Sequence, residues 1–309
     1  MRVSIAIPCF NAERWLRTAI ASALAQRGIE PEVIVVDDGS TDGSAAIAHE
    51  FGDRIRFIGG PNRGGNHARN LALENASTEW IQFLDADDYL EPHKIETQLR
   101  EANLGGGEAD ILYSPVWIET WSDDKAVARE QSQTCPNTDL DTQWIRWQIP
   151  QTGGALWRRD ALSRIGGWKL GQPCCQEHEL YLRARKAGLR FVYTPTPGAV
   201  YRIWSEETVC RKDPTTVIQA RTQLLDEMLA WLEQSGKATE AHRREIGKAC
   251  FEMARTWSRF DLATATAYHS ERNTKGLIHA AGQAAPLSYR ALYRTLGFTN
   301  AERVARWLR

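Results

Sequence analysis

The sequence predicts an α/β protein built on a mostly parallel, Rossmann-like sheet, with a helical extension at its C-terminal end. Three observations predict it. Short β-branched apolar runs alternate with helix-period segments from Val3 to Leu84. Acidic clusters follow two of those runs directly. From about Pro214 onward the apolar residues recur only at helical spacing.

Val3 to Ile7 is a continuous apolar run, suited to a strand buried on both faces. Asn11 is the candidate cap of the next helix, in which Trp15, Leu16, Ala19, Ile20, Ala23 and Leu24 recur. Glu32 to Val36 is a second strand, ending in Asp37-Asp38-Gly39-Ser40. Ser40 or Thr41 would cap the helix after it, which holds Ala45, Ile47 and Ala48. Ile55 to Ile58 reads as a third strand, His67 to Ala76 as a helix, and Trp80 to Leu84 as a fourth strand closed by Asp85. This order implies parallel strands joined by right-handed crossovers. Ligands of such sheets bind beyond the carboxyl ends of the strands. Asp37-Asp38 and Asp85 to Asp88 therefore come out on one edge.

Between about Ile111 and Trp168 the pattern is irregular and rich in Trp (Trp117, Trp121, Trp144, Trp147, Trp157, Trp168). Later, Leu224, Leu225, Met228, Leu229 and Leu232 form one helical stripe. We place a domain boundary near residue 213, dividing 1–213 from 214–309.

Composition excludes several classes. Of 309 residues, 42% are hydrophobic and 25% charged, as in a soluble globular protein. No apolar run approaches the roughly 18 residues of a membrane span. The N-terminus opens on a strand-like run and not on a signal peptide. A net charge of -1 gives no support for nucleic-acid binding. The six cysteines show no metal-ligand spacing and fit reduced thiols in a cytoplasmic protein. From Arg272 to Arg309 seven bases face one acid, Glu302, so the tail carries +6 and the remainder -7. Such a tail is either a solvated helix face or a peripheral contact with anionic lipid or an anionic acceptor at the inner membrane face.

Three segments carry chemistry. In Asp85-Ala86-Asp87-Asp88, carboxylates at i and i+2 can converge on one hard cation, Mg²⁺ or Mn²⁺, that completes its shell with phosphate oxygens. A polar turn with capping acids would be spelled the same way. Asp37 stands at a strand end, able to accept from a nucleobase or ribose; a strand-turn-helix junction with Asx capping is the alternative. In Pro61-Asn62-Arg63-Gly64-Gly65-Asn66-His67-Ala68-Arg69-Asn70, Arg69 is placed to meet a phosphate or a neighbouring acid.

Together IAIPCFNAERWL, VIVVDDGSTDGS, PNRGGNHARN and IQFLDADDYLEP resemble the family 2 glycosyltransferases, in order and in separation. The likeness continues through TGGALWRRDAL, IGGWK and QEHELYLRARKAG to about Tyr201-Arg202, roughly two thirds of the chain. It implies a GT-A fold. It also implies inverting transfer of a sugar from a nucleoside diphosphate, a UDP-sugar foremost, to an acceptor hydroxyl. Carried over by motif, Pro8, Phe10 and Asn11 line the nucleotide pocket, Asp37 holds the base and Arg69 sits near the nucleotide. Asp85 lies near the ribose or metal, Asp87 is the principal metal ligand, and Asp88 is close to the donor sugar or acceptor. The metal offsets charge on the departing diphosphate.

Inversion needs a general base. The family's Glu-Asp pair before a (D)LxLR helix falls here on Gln176-Glu177, which makes Glu177 the candidate, with His178 and Glu179 behind it. Glu179 equally suits a helix N-terminal acid. Members often carry a His two residues after the Arg at 202, where this chain has Trp204. Metal binding then rests on Asp85 and Asp87, or Arg202 and nearby bases help neutralise the diphosphate. Trp157 and Trp168 flank the stretch leading to Glu177 and are candidates for stacking on an acceptor sugar, or core. Gly153-Gly154 admits an acceptor close to the backbone, or is a turn. The acceptor would be a saccharide or a lipid-linked glycan of surface polysaccharide or glycolipid assembly.

Two other classes compete. A nucleotidyltransferase would carry a Gly-rich basic loop where this chain has Pro8-Cys9-Phe10-Asn11. A catalytically silent nucleotide-sugar sensor is kept open by the departures at Glu177 and Trp204.

Overall fold

The structure, a computed structural model, describes residues 1–104, 108–133, 138–204 and 213–307. Cys135 and Cys210 lie outside the described residues. Its contacts group into two compact units, one of Met1–Pro136, Ile149–Gln172 and Gln176–Glu206, the other of Asn137–Gln148, Pro173–Cys175 and Glu207–Arg309. Residues 137–148 thus group with the C-terminal helices, where the linear reading kept them with the first part. The reason is local pairing: α5 (Leu140–Ile145) is tied to α9 (Glu240–Trp257). The Asp139 carboxylate before α5 meets His242 Nε2 at 3.2 Å, and Arg146 Nε meets Glu245 Oε2 at 3.1 Å.

In the first unit β1 (Arg2–Cys9), β2 (Glu30–Asp37), β3 (Arg56–Gly59) and β4 (Trp80–Phe83) alternate with α1 (Leu16–Leu24), α2 (Ser44–His49) and α3 (Gly65–Asn75). They belong to a seven-stranded sheet ordered β10-β6-β9-β4-β1-β2-β3, where β6 is Ile111–Tyr113, β9 Ala155–Arg158 and β10 Phe191–Tyr193. β9 runs antiparallel to β4 and β6; the other pairs are parallel. Val3, Ile5, Ile7, Val33 and Val35 pack with Leu16 and Ile20 on one face, and Ala6, Ile34 and Val36 are buried on the other, which is why these strands are apolar on both faces. The β1–β2 register sets Cys9 opposite Asp37, so both strands end together.

The helix starts differ from the sequence reading. α1 begins at Leu16 with Trp15 in the cap position and no side-chain capping bond. Asn11, at φ 49°, instead accepts from Thr41 N at 2.8 Å. α2 begins at Ser44, whose N–H goes to Asp42 Oδ1 at 2.9 Å, while Ser40 Oγ accepts from Asn11 N at 2.9 Å. Asn11 and Ser40 satisfy backbone groups in each other's loop rather than at a helix end.

A second sheet draws two of its four strands from the stretch that reads as irregular. Its order is β5 (Tyr89–Leu90), β11 (Ala199–Ile203), β7 (Trp117–Ser122), β8 (Lys125–Gln131). The unit also holds α4 (Lys94–Leu104), α6 (Arg159–Arg164) and α7 (Gln176–Lys186).

The second unit adds α8 (Pro214–Gln234), α10 (Leu262–Thr274) and α11 (Leu287–Trp307), the last broken at Gly297. Asp213 caps α8, its Oδ1 accepting from Thr215 N and Thr216 N at 3.0 and 3.1 Å, with Pro at the first helical position. The expected stripe from Leu224 to Leu232 is buried. The basic tail is less free than its charge count. Arg272 is buried and paired with Asp226, and Glu302 is enclosed by Arg255 Nε at 2.6 Å and Ser258 Oγ at 2.5 Å. No helix among the described residues is long and apolar enough to cross a membrane.

Candidate active site

β1, β2 and β4 deliver their carboxyl ends to one edge. Asp37, the last residue of β2, is buried, and its Oδ1 accepts from Ser40 N at 3.2 Å and from Ser40 Oγ. Asp38 is spent on folding: its two oxygens accept from Arg63 N and Gly64 N, both at 2.8 Å. Between them and the loop lies Gly39 at φ 79°, where a Cβ would come within 2.7 Å of Asn62 N. Pro8 is half-buried, while Phe10 and Asn11 are exposed beside Asp37 at the rim. The four expected nucleotide-pocket residues thus come together.

The acidic turn follows β4 and is closed by Asp88 N donating to Asp85 O at 3.0 Å. Each carboxylate has its own donor. Asp85 Oδ1 accepts from Arg69 Nη2 at 2.7 Å; Arg69 also reaches Asn66 Oδ1 and lies 4.7 Å over the Trp168 ring. Asp87 Oδ2 accepts from Trp204 Nε1 at 2.9 Å. Asp88 Oδ1 accepts from Arg202 N at 2.8 Å, and Arg202 Nη1 donates to Asp87 O at 3.0 Å. The buried Arg202 guanidinium sits 4.6 Å from both the Trp15 and Tyr89 rings, with Trp121 at 5.5 Å. Arg14, Trp15, Trp121 and Asp124 line a cavity of about 570 Å³ alongside.

Burial, reinforced by the Asp85 charge, raises the Asp87 carboxyl above its ordinary range, against the Trp204 N–H. Asp88 is pushed well above it by burial and by its two acidic neighbours. Burial lowers the Arg202 guanidinium, opposed by Asp88, Tyr89, Glu119 and Asp87. The turn therefore holds desolvated negative charge that a hard cation would relieve.

Glu177 lies in the first turn of α7, and its Oε1 accepts from Thr152 Oγ1 at 2.6 Å. It also acts electrostatically on Arg69. Burial disfavours the Arg69 charge, yet the Asp85, Glu177 and Asp87 carboxylates hold that guanidinium above its ordinary value. Glu179 is occupied elsewhere. Arg183 grips it at 2.6 and 2.8 Å and also binds Ile165 O and Gly167 O. His178 is buried in the same helix.

Trp157 and Trp168 depart from the expectation of sugar-stacking faces. Trp157 is 2% exposed and stacked on Tyr181 at 5.6 Å. Trp168 is 3% exposed, with Phe83 against it and Arg69 over its ring, so it shapes the site through Arg69. Gly153 and Gly154 form a turn packed by the chain itself: a Cβ on Gly153 would meet Ala199 Cβ at 2.9 Å. Thr152, Trp15 and Trp121 enter the site without having been read there. Only Thr152 had a local signal, since it opens the TGGALW stretch.

Residues 4–166 match the family described as Glycosyl transferase family 2. The chain belongs to glycosyl transferase family 2. This family 2 member is 28% identical over 254 residues to EpsH of Bacillus subtilis, a protein named as a glycosyltransferase, covering 79% of this chain and 72% of that one. It is 40% identical over 113 residues to an uncharacterized glycosyltransferase of Rickettsia bellii, and 30% over 175 residues to one of Nostoc. Those matches cover 36% and 53% of this chain but span only 16% and 53% of the two relatives. Among solved structures, S. aureus TarS 1–349 superposes with a TM-score of 0.65 at 17% identity, covering 100% of this chain and 92% of that one. TarS has also been solved with UDP-GlcNAc. The mannosyltransferase PcManGT of Pyrobaculum calidifontis, in complex with GDP-Man and Mn²⁺, has a TM-score of 0.53 at 17% identity, covering 98% and 86%. These likenesses establish the GT-A fold for the family 2 chain.

Proposed function

We propose that this family 2 member is an inverting glycosyltransferase that moves a sugar from a nucleoside diphosphate to an acceptor hydroxyl. One observation carries the reading. Asp85 Oδ1 accepts from Arg69 Nη2 at 2.7 Å, and the Glu177 and Asp87 charges act on the same guanidinium, so this reading has the candidate base and the two acids share one cation. In this reading Asp37 and the Pro8 to Asn11 rim take the nucleoside. Asp85 Oδ1 accepts from Arg69 and Asp87 Oδ2 accepts from Trp204, which leaves each a second oxygen for a hard cation, Mg²⁺ or Mn²⁺. Among the described residues no three His, Cys, Asp or Glu side chains form a cage for an ion. Such a cation would draw its remaining ligands from the donor. When bound, it would stabilise negative charge on the departing diphosphate.

Glu177 takes the acceptor proton as the acceptor oxygen attacks the anomeric carbon and the bond to the diphosphate breaks. Thr152 fixes one carboxylate oxygen and leaves the other to receive that proton. Arg202, held rigid by Trp15, Tyr89 and the Asp87 carbonyl, supplies positive charge on the leaving-group side.

UDP-GlcNAc, UDP-glucose and GDP-mannose, each with and without Mn²⁺, provide the test. One of them is expected to raise the melting temperature in a Mn²⁺-dependent way and to be slowly hydrolysed. No shift and no nucleoside diphosphate released from any of the three would sink the assignment. A shift without turnover, with acceptor glycans present, would point to a sensor.

The acceptor in this reading is a lipid-linked or surface glycan reached at a membrane face. It is supported by exposed Leu287, Leu296 and Trp307 on α11 beside exposed Arg294, Arg303 and Arg306. In flotation, the full chain is expected to bind anionic vesicles more than neutral ones, and R294E with R303E to remove the difference. Equal flotation of both proteins overturns it.

A further inference from the structure

Lys94 opens α4 and is 4% exposed, and burial pushes its amino group down to about 7. It donates to Gln82 Oε1, in the fully buried middle of β4. Gln82 Nε2 in turn donates to Gly153 O at 3.1 Å. One turn along α4, the buried Gln98 donates through Nε2 to Gly154 O at 3.1 Å, and Ser114 N reaches the same oxygen at 3.0 Å. These bonds hold the Thr152–Gly154 turn, whose first residue gives its hydroxyl to Glu177 at 2.6 Å. The lysine stem is fitted as closely: a Cβ on Gly198 would lie 2.6 Å from Lys94 Cγ.

A buried amino group with one amide partner costs stability that a methionine in the same space would not. What it adds is orientation. Lys94 Nζ donates to Gln82 Oε1, which leaves Gln82 Nε2 aimed at the Gly153 carbonyl of the turn. We propose that Lys94 and Gln82 are positioning residues for Glu177, acting through the Thr152–Gly154 turn. The inference rests on Glu177 being the base. Lys94 touches no reacting atom and sets the carboxylate by fixing the backbone under Thr152.

The experiment uses the full chain with Mn²⁺ and whichever of UDP-GlcNAc, UDP-glucose or GDP-mannose the wild type turns over. Lys94→Met and Lys94→Gln are each expected to lower turnover roughly ten- to a hundred-fold, with the donor KM unchanged. In a Glu177→Gln background, Lys94→Met is expected to cost nothing further, since both act on one group. A stabilising shift with UDP certifies that each variant is folded. The inference is overturned by wild-type turnover in a folded variant, by losses that multiply with Glu177→Gln, or by both Lys94 variants failing to bind UDP. Wild-type turnover in Glu177→Gln fails the base assignment itself. An inactive Glu177→Gln beside a fully active Lys94→Met fails only this inference. A wild type that turns over none of the donors fails the reading beneath it, and this inference with it.

Discussion

Asp87→Ala is expected to lower donor turnover roughly 10²- to 10³-fold and to abolish Mn²⁺ binding seen by calorimetry with UDP present. The physical reason is local. Asp87 is a half-buried carboxylate whose negative charge is disfavoured by desolvation and by the neighbouring Asp85, so a bound cation relieves that cost at this oxygen. Its own hydrogen-bond donor, Trp204 Nε1, belongs to a residue that is 40% exposed, so water can replace the lost acceptor. The fold is therefore expected to survive, with little change in melting temperature. Asp87→Asn separates charge from hydrogen bonding, because an amide oxygen still accepts from Trp204. Turnover within tenfold of wild type in both variants would remove Asp87 from the reaction.

The second large effect lies on the acceptor side. Glu177→Gln is expected to reduce kcat about 10²- to 10⁴-fold while leaving donor affinity intact. Gln keeps an oxygen for Thr152 Oγ1, so the side chain holds its place and loses only its ability to take a proton. The neighbouring carboxylate is no substitute, since Glu179 is gripped by Arg183 through both oxygens. Rates and donor titrations on the same preparation check this. An unchanged kcat would exclude Glu177 as the base.

The placement of the proposed donor-side residues was legible in the sequence because its signals are local. β1 and β2 are buried on both faces and read as continuous apolar runs, Asp37 ends β2, and Asp85 lies two residues past β4. What was not legible is bound over distance. Asp88 meets Arg202 across 114 residues, and Thr152 meets Glu177 across 25. No periodicity reports such pairs. The second sheet escaped for a different reason: β5 has two residues, and every residue of β8 is exposed, so neither carries an apolar pattern. Asn11 illustrates a third failure. Its letter suits a helix cap, but two strand-end loops lie close enough to claim it first. The Trp-rich middle was ambiguous by nature, because Trp157 packs inside while Trp121 lines the cavity beside Trp15.

β8 carries a consequence for how such a chain can change. Among the described residues it is the outer edge of its sheet, pairs only with β7 and exposes all seven of its residues. Little but the backbone ladder and Arg129, which bridges to Glu91 and Glu119, constrains what is written there. Yet the hairpin leading into it carries Asp124, on the wall of the cavity beside Trp15 and Trp121. Mutations along this ribbon would be nearly silent for folding while altering the rim of that cavity. If the proposed function holds, acceptor preference can drift along this edge without the donor chemistry being put at risk.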